Sequence, residues 1–194
     1  MKNIDNIYAF ILELDKLKLV FRNTVTANGR HESTAEHSWS ASMIAMTLMT
    51  DLKKELGEID ELKVIKLVLI HDIVEIYAGD VIVFDAEARK NKEAVELEAL
   101  HQLMQVNPEF GQQLSDLWHE FEAKETLEAK IAKACDSICP VFQRLATEHH
   151  YGSHDVTMEK LEKTKIPNFA FSKTFSSLFQ KLKHDLLVKK LIAS

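Results

Sequence analysis

The stretch Leu67-Val68-Leu69-Ile70-His71-Asp72-Ile73-Val74-Glu75 sets three polar residues into an otherwise continuous apolar run. On a helix turning by about 100° per residue, His71, Asp72 and Glu75 fall within one arc of about 100°, because Glu75 lies one turn beyond His71. The other positions are aliphatic, so the segment reads as a helix buried nearly all round. An imidazole and two carboxylates are costly there unless something compensates them, and a divalent cation is an economical compensation. A plainer reading has His71 and Asp72 terminating a core helix and bonding to backbone groups. The pair alone does not separate the two, and the neighbouring segments are needed.

Upstream, Ser33-Thr34-Ala35-Glu36 has the form of a capping box: a hydroxyl residue, then Glu three positions on, ahead of an apolar run. It predicts a helix over residues 34–56 with His37 in its first turn. Small residues at Ser38, Ala41, Ser42 and Ala45 would let a neighbouring helix approach closely. Gly57 ends that helix, and Asp60 caps the next, which contains the central stretch and runs to about Tyr77. Apolar periodicity at Ile4, Ile7, Tyr8, Ile11, Leu12 and Leu14 predicts a first helix over residues 4–19. Residues 20–30 break the pattern and read as a loop bracketed by Arg22 and Arg30. Downstream, Gly79-Asp80 is a turn and residues 81–84 an apolar connector. Helices follow over 86–106, stopped by Asn107-Pro108, then over 110–123 and 125–150, closed by Tyr151-Gly152-Ser153. A brief helix over 156–163 and a last one over 172–192 complete the chain. The expectation is an all-α fold, a compact helical bundle forming a single domain over residues 1–194.

Composition agrees. Glycine (5) and proline (3) are scarce among 194 residues, which favours long helices over a turn-rich β architecture. A formal net charge of −6 gives no support for binding a nucleic-acid polymer or an anionic membrane. No apolar run approaches the roughly 20 residues a membrane span needs, and the N-terminal residues 1–6 lack the form of a signal peptide. Cys135 and Cys139 lie four residues apart on one expected helix and read as buried reduced thiols rather than a disulfide framework. The expected setting is the cytoplasm.

Three segments offer metal ligands: His37, the His71-Asp72 pair, and Asp136 at the border of the apolar stripe Leu127, Ile131, Ala134, Cys135, Ile138 and Phe142. Two imidazoles and two carboxylates suit one six-coordinate divalent ion such as Mn²⁺, Co²⁺ or Fe²⁺, with Zn²⁺ or Mg²⁺ also compatible. Pro140 cannot donate to the Asp136 carbonyl, so a local kink is expected there that helps aim the Asp136 side chain.

These residues resemble the H…HD…D signature of the HD-domain phosphohydrolases. Arg30-His31-Glu32-Ser33-Thr34-Ala35-Glu36-His37-Ser38 is similar to the Arg-x-Glu-x-x-Ala-Glu-His-Ser segment of the subgroup that contains the bacterial 5′-deoxynucleotidases. His71-Asp72-x-x-Glu75-x-x-x-Gly79-Asp80 resembles the same subgroup's HD-x-x-E-x-x-x-G-D run, and Arg22 stands where those proteins carry a phosphate-binding arginine. The resemblance implies an HD-type bundle holding one catalytic divalent cation at His37, His71, Asp72 and Asp136. It implies removal of the 5′-phosphate from a small-molecule nucleoside or deoxynucleoside monophosphate by a metal-activated water. Arg22 and Arg30 are the candidate phosphate-binding cations. Glu75 is the candidate for orienting the water or handling its proton. Asp80 is assigned a sugar hydroxyl or the leaving oxygen. The resemblance also favours a homodimer. Asn23 follows Arg22 where the subgroup tends to place an aromatic residue against the sugar, so no choice between ribose and deoxyribose follows.

Two alternatives are weighed. A dinuclear HD phosphodiesterase or oxygenase needs further histidines close after the HD pair, and between Asp72 and Asp136 only His101 and His119 are available. A catalytically inactive nucleotide-sensing module is disfavoured because every expected ligand and Glu75 are present. Several features read as structural only. Glu36 belongs to the cap, and Trp39 and Trp118 are core or partly buried aromatics. His149, His150 and His154 form an exposed polar terminus, residues 87–98 are a solvated face, and Phe171, Phe175, Leu178, Phe179, Leu182 and Leu186 pack on the domain or on a second subunit.

Overall fold

The computed structural model describes residues 2–81, 84, 88–151 and 156–193. Residues 82 and 83 of the expected connector, the expected helix start at residue 86, Gly152-Ser153 and His154 lie outside them. The first helix, α1 (Lys2–Leu14), tightens into a 3-10 turn over Asp15–Leu19 instead of continuing. Its predicted apolar stripe faces outward. Ile4, Tyr8, Ile11 and Leu12 are more than half exposed, and the residue that reaches the interior is Phe10, edge-on to Phe110 at 5.3 Å.

The expected loop over residues 20–30 is an antiparallel hairpin, β1 (Phe21–Val25) and β2 (His31–Ser33), with an irregular register between the pairs Phe21–Ser33 and Val25–His31. Its inward groups are polar, which hid the strand from a hydrophobic pattern. Thr24 Oγ1 donates to Glu32 Oε2 at 2.7 Å with both residues buried. Gly29 turns the hairpin at φ 85°, and Gln143 Nε2 donates to the Val25 carbonyl at 2.8 Å, tying β1 to the helix behind it.

The capping box forms as expected on α2 (Thr34–Leu56). The Ser33 hydroxyl accepts from Glu36 N, and the Glu36 carboxylate accepts from Ser33 N. Asp60 caps α3 (Glu61–Ile70) by accepting from Lys63 N. The single helix expected to reach Tyr77 is interrupted after Ile70. Residues 71–74 form tight turns, with Ile73 N donating to the Ile70 carbonyl and Glu75 N to the Asp72 carbonyl, before α4 (Glu75–Ala78) resumes. The cause is His71 itself. Its Nδ1 lies 2.6 Å from the Val68 carbonyl, the acceptor that the Asp72 N–H would use in an unbroken α-helix. Asn107 and Pro108 both stop α5 (Lys92–Val106) and start α6 (Pro108–Ala123), with the Asn107 side chain accepting from Phe110 N. Then come α7 (Leu127–Thr147), α8 (Met158–Lys165) and α9 (Lys173–Val188).

Helices α2, α3 and α7 pack on one another, and the small residues Ser38, Ala41, Ser42 and Ala45 are all buried at the contact. Helix α9 closes this core with Phe175, Phe179, Leu182 and Leu186, each at most 2% exposed. Burying such a side chain contributes roughly 1.5–3 kcal/mol, so α9 belongs to this domain rather than to a docking face. A second apolar cluster joins Phe10, Ile73, Val74, Ala99, Leu100, Leu103, Leu114 and Trp118. Leu67 and Val68 belong to the first core, Ile73 and Val74 to the second, and His71-Asp72 sits on the seam between them. Trp118 is buried as expected, whereas Trp39 is 64% exposed, correcting its placement in the core.

Candidate metal centre

His37 is delivered by the first turn of α2, fixed by the capping box. His71 is delivered by the break after α3, and Asp136 by the middle of α7. Both imidazoles are fully enclosed, while the Asp72 and Asp136 side chains keep 18% and 16% exposure toward a cavity. The four converge. His37 Nε2 lies 3.2 Å from Asp136 Oδ1 and 3.8 Å from Asp72 Oδ2, and His71 Nε2 lies 3.0 Å from Asp72 Oδ2 and 3.6 Å from Asp136 Oδ1. The ligand atoms of His37, His71 and Asp72 all lie within 4.8 Å of one another.

The protonation pattern suits a cation. His71 Nδ1 donates to the Val68 carbonyl, which leaves Nε2 as the free end of the ring, and that nitrogen is buried with no hydrogen-bond partner. Burial opposes a charge on this ring, yet Asp72 and Asp136 together raise its pKa to about 10, so Nε2 carries a proton near neutral pH, held by a negative potential that a cation would meet in its place. His37 is pushed down to about 4, by burial and then by Arg22, and is therefore a neutral donor near pH 7. Burial works against ionising Asp72 and Asp136. The His71 ring and Arg22 nevertheless hold Asp72 low, and Lys133 with the two histidines holds Asp136 low. A buried ring nitrogen without a hydrogen bond, facing two ionised carboxylates, is a fit for one divalent ion of N/O preference, which would take the proton's place. In α7, Pro140 leaves the Asp136 carbonyl without its donor from the next turn.

The HD domain family matches residues 14–174, which is most of the chain and contains all four of these side chains. The chain belongs to the HD-domain family. It is 29% identical over 190 residues to a 5′-deoxynucleotidase of Dictyostelium discoideum, a match covering 94% of this chain and 93% of that one. It is 27% identical to a 5′-deoxynucleotidase of Vibrio parahaemolyticus, covering 88% and 94%. The crystal structure of a predicted metal-dependent phosphohydrolase from Magnetospirillum magnetotacticum superposes with a TM-score of 0.88 at 31% identity, over 99% of this chain and 96% of that one.

Beside the HD-family quartet opens a cavity of about 380 Å³, a size that suits a small ligand. Arg22, from β1, places Nη1 2.9 Å from Asp72 Oδ2 and 3.4 Å from Asp80 Oδ1, and its Nε is buried without a partner. Asp80 lines the wall just past Gly79, its pKa raised by burial and by Asp72 against the pull of Arg22. Glu75 is 4% exposed and lines the cavity while Thr34 Oγ1 donates to its Oε2 at 2.8 Å. Burial, then Asp72, raise its pKa well above the usual carboxylate range.

Arg30 is placed elsewhere. It is half exposed, paired with Glu36 and donating to the His31 carbonyl, and it does not line the cavity. The pairing follows from the capping box, which sets the Glu36 carboxylate beside the hairpin turn. His149 is described near the end of α7 but is likewise outside the cavity lining. Several lining residues were not singled out from sequence. Lys133 donates to Asp136 Oδ2 at 2.7 Å, an i,i+3 pair readable in principle from the spacing. Thr34, which holds the lining residue Glu75 without lining the cavity itself, gave a weaker sign, as the residue after the N-cap. Lys92 and Glu96, assigned to a solvated face, form an ion pair with Glu96 only 7% exposed and Lys92 on the cavity wall. Ser137, Lys165 and Asn168 carried no local signal. Cys135 and Cys139 are free, buried thiols. Among the described residues no helix is long and apolar enough to cross a membrane.

Proposed function

We propose that this chain is a metal-dependent phosphohydrolase that removes the 5′-phosphate from nucleoside or deoxynucleoside monophosphates, with His37, His71, Asp72 and Asp136 holding one cation. The observation that carries the reading is His71 Nε2: buried, without a hydrogen bond, and facing two ionised carboxylates that line a cavity together with several cations. The N₂O₂ donor set supports Mn²⁺, Co²⁺ or Fe²⁺ over the sulfur- and nitrogen-rich sites that Zn²⁺ prefers. When bound, such a cation polarises a phosphoryl oxygen and brings water ionisation toward neutral pH.

The side chains supply the rest. Arg22 offers its unpaired Nε and shares Nη1 with Asp72, so its guanidinium is set to take a phosphoryl oxygen and offset charge on it. Glu75, held by Thr34, orients the attacking water and accepts its proton. Asp80, on the same wall, is within the reach of Arg22 and is assigned the sugar or the leaving oxygen. The substrate class is supported by the 5′-deoxynucleotidase relatives, whose names specify it for those proteins. A cytoplasmic setting is supported by the two free thiols, and a homodimer by the outward apolar face of α1.

The test is phosphate release from a panel of nucleoside and deoxynucleoside monophosphates, with EDTA and with added Mn²⁺ or Co²⁺. Asp72→Ala is expected to lose both bound metal and turnover. Glu75→Gln is expected to keep the metal and lose roughly 10²–10⁴-fold in kcat. No phosphate from any nucleotide with any metal overturns the proposal.

A further inference from the structure

The buried cations of the cavity differ in what already faces them. Arg22 meets Asp72 and Asp80, and Lys133 meets Asp136. Arg144 donates to the His150 carbonyl at 2.9 Å and lies 4.4 Å over the Tyr151 ring. Lys165, the last residue of α8, is 8% exposed and lines the same cavity, and among the described residues no carboxylate or hydrogen-bond acceptor pairs with it. A buried ammonium without an anion costs several kcal/mol in general. A chain that keeps one there, pointed into a cavity, has left the anion to be supplied from outside.

The position is built. Leu161, one turn before Lys165, and Phe169, just after it, are at most 1% exposed, so both flanks are anchored in the main core. Asn168 Nδ2 donates to Ser137 Oγ at 2.8 Å, pinning the end of α8 to α7 beside Asp136. The amine lies close enough to Asp136, Lys133 and Arg22 for their charges to act on it. Burial lowers its pKa to about 8, Asp136 opposes the fall, and Lys133 and Arg22 add to it. The Asn168–Ser137 bond thus places the end of α8 against the stretch of α7 that carries Asp136, and Lys165 and Asp136 line the same cavity.

We propose that Lys165 is a phosphate-binding cation, partnering Arg22 across the cavity and taking a non-bridging oxygen of a terminal phosphomonoester. The assignment rests on the phosphohydrolase reading above and adds a residue to it from outside the sequence signature. A base carbonyl would leave the ammonium without a counter-charge, whereas a phosphate dianion provides one.

The experiment compares wild type, Lys165→Met and Lys165→Arg, using inorganic phosphate and a phosphate-free nucleoside as separate probes in calorimetry on the metal-loaded protein. Lys165→Met should weaken inorganic phosphate about tenfold or more, leave nucleoside affinity and metal content unchanged, and raise KM for the monophosphate more than it lowers kcat. Lys165→Arg should retain most of the phosphate affinity. Because an unpaired buried charge is removed, Lys165→Met should also melt at or above the wild-type temperature, and added phosphate should raise the melting point of wild type more than that of the variant. Phosphate affinity within twofold of wild type, a loss confined to the nucleoside, or a variant that melts well below wild type would each overturn the assignment. The phosphohydrolase reading is tested apart from this, by turnover of the wild-type protein.

Discussion

Thr34→Val isolates the support of Glu75 without disturbing shape. Thr34 is fully buried, and its Oγ1 donates to Glu75 Oε2 at 2.8 Å. Valine fills nearly the same volume, so no cavity opens, and what is lost is one buried hydrogen bond plus the satisfaction of one carboxyl oxygen. A buried bond of this kind contributes about 1 kcal/mol, and an oxygen left unsatisfied adds a cost of similar size, giving about 1–2 kcal/mol together. For a chain of this length that is a drop in Tm of roughly 2–8 °C. If the hydroxyl also aims Glu75 at its proton, a comparable share appears in the transition state, and kcat/KM falls roughly tenfold. Thr34→Ser, which keeps the hydroxyl, should stay near wild type in kcat/KM. Thermal melting, metal analysis and steady-state kinetics on the three proteins decide it. Unchanged kcat/KM with the expected loss of stability would show that Thr34 holds the fold and not the catalytic geometry. Loss of bound metal in Thr34→Val would show that the damage travels through His37, three residues along the same helix.

Arg30→Ala should leave kcat/KM within about twofold of wild type and change stability little, because its pair with Glu36 is solvent-accessible and outside the cavity; a large rise in KM would restore it to the substrate site. Glu55 accepts from Ser172 Oγ, Lys173 N and Thr174 N, capping α9 from the end of α2. Burial opposes ionisation there, but these donors lower its pKa to about 2, below its ordinary value of 4.5. Its stabilising charge is therefore present above about pH 4.5 and is lost as the pH falls toward 2. The stability gap between wild type and Glu55→Gln should be widest at neutral pH and close on acidification; a gap independent of pH would refute it.

Local chemistry was what the sequence made legible. Ser33 and Glu36, Asp60 with Lys63, and Asn107-Pro108 set helix ends through side chains a few residues away, and those ends fall where the sequence places them, except that Pro108, expected only to stop α5, already opens α6 ahead of the expected start at residue 110. The costly polar groups of the Leu67–Glu75 run asked for a common reason, and the resemblance to the H…HD…D signature is what joined His37 and Asp136 to His71 and Asp72. Tertiary choices were not legible. The hairpin at Phe21–Val25 pairs polar inward groups, so no alternation announces it. Helix α1 has the expected periodicity, yet the side it buries is set by where Phe110 waits. Arg30 and Lys165 show the same limit from opposite directions. One sits inside a recognisable motif and turns out to serve the cap, while the other sits in an unremarkable lysine-rich helix and reaches the cavity.

His71 carries two tasks on two nitrogen atoms. Through one it halts its own helix by taking the Val68 carbonyl; through the other it faces Asp72 and Asp136. An ionised aspartate has two oxygens but no proton to give the Val68 carbonyl, and cysteine has one polar atom for both tasks. An exchange to either would thus release the Val68 carbonyl to the Asp72 N–H, let α3 run on and swing Asp72 round its axis, even if the new group could itself bind an ion. Position 71 therefore has no conservative substitute, and any redesign that seeks a different ion here should start from the other three ligands.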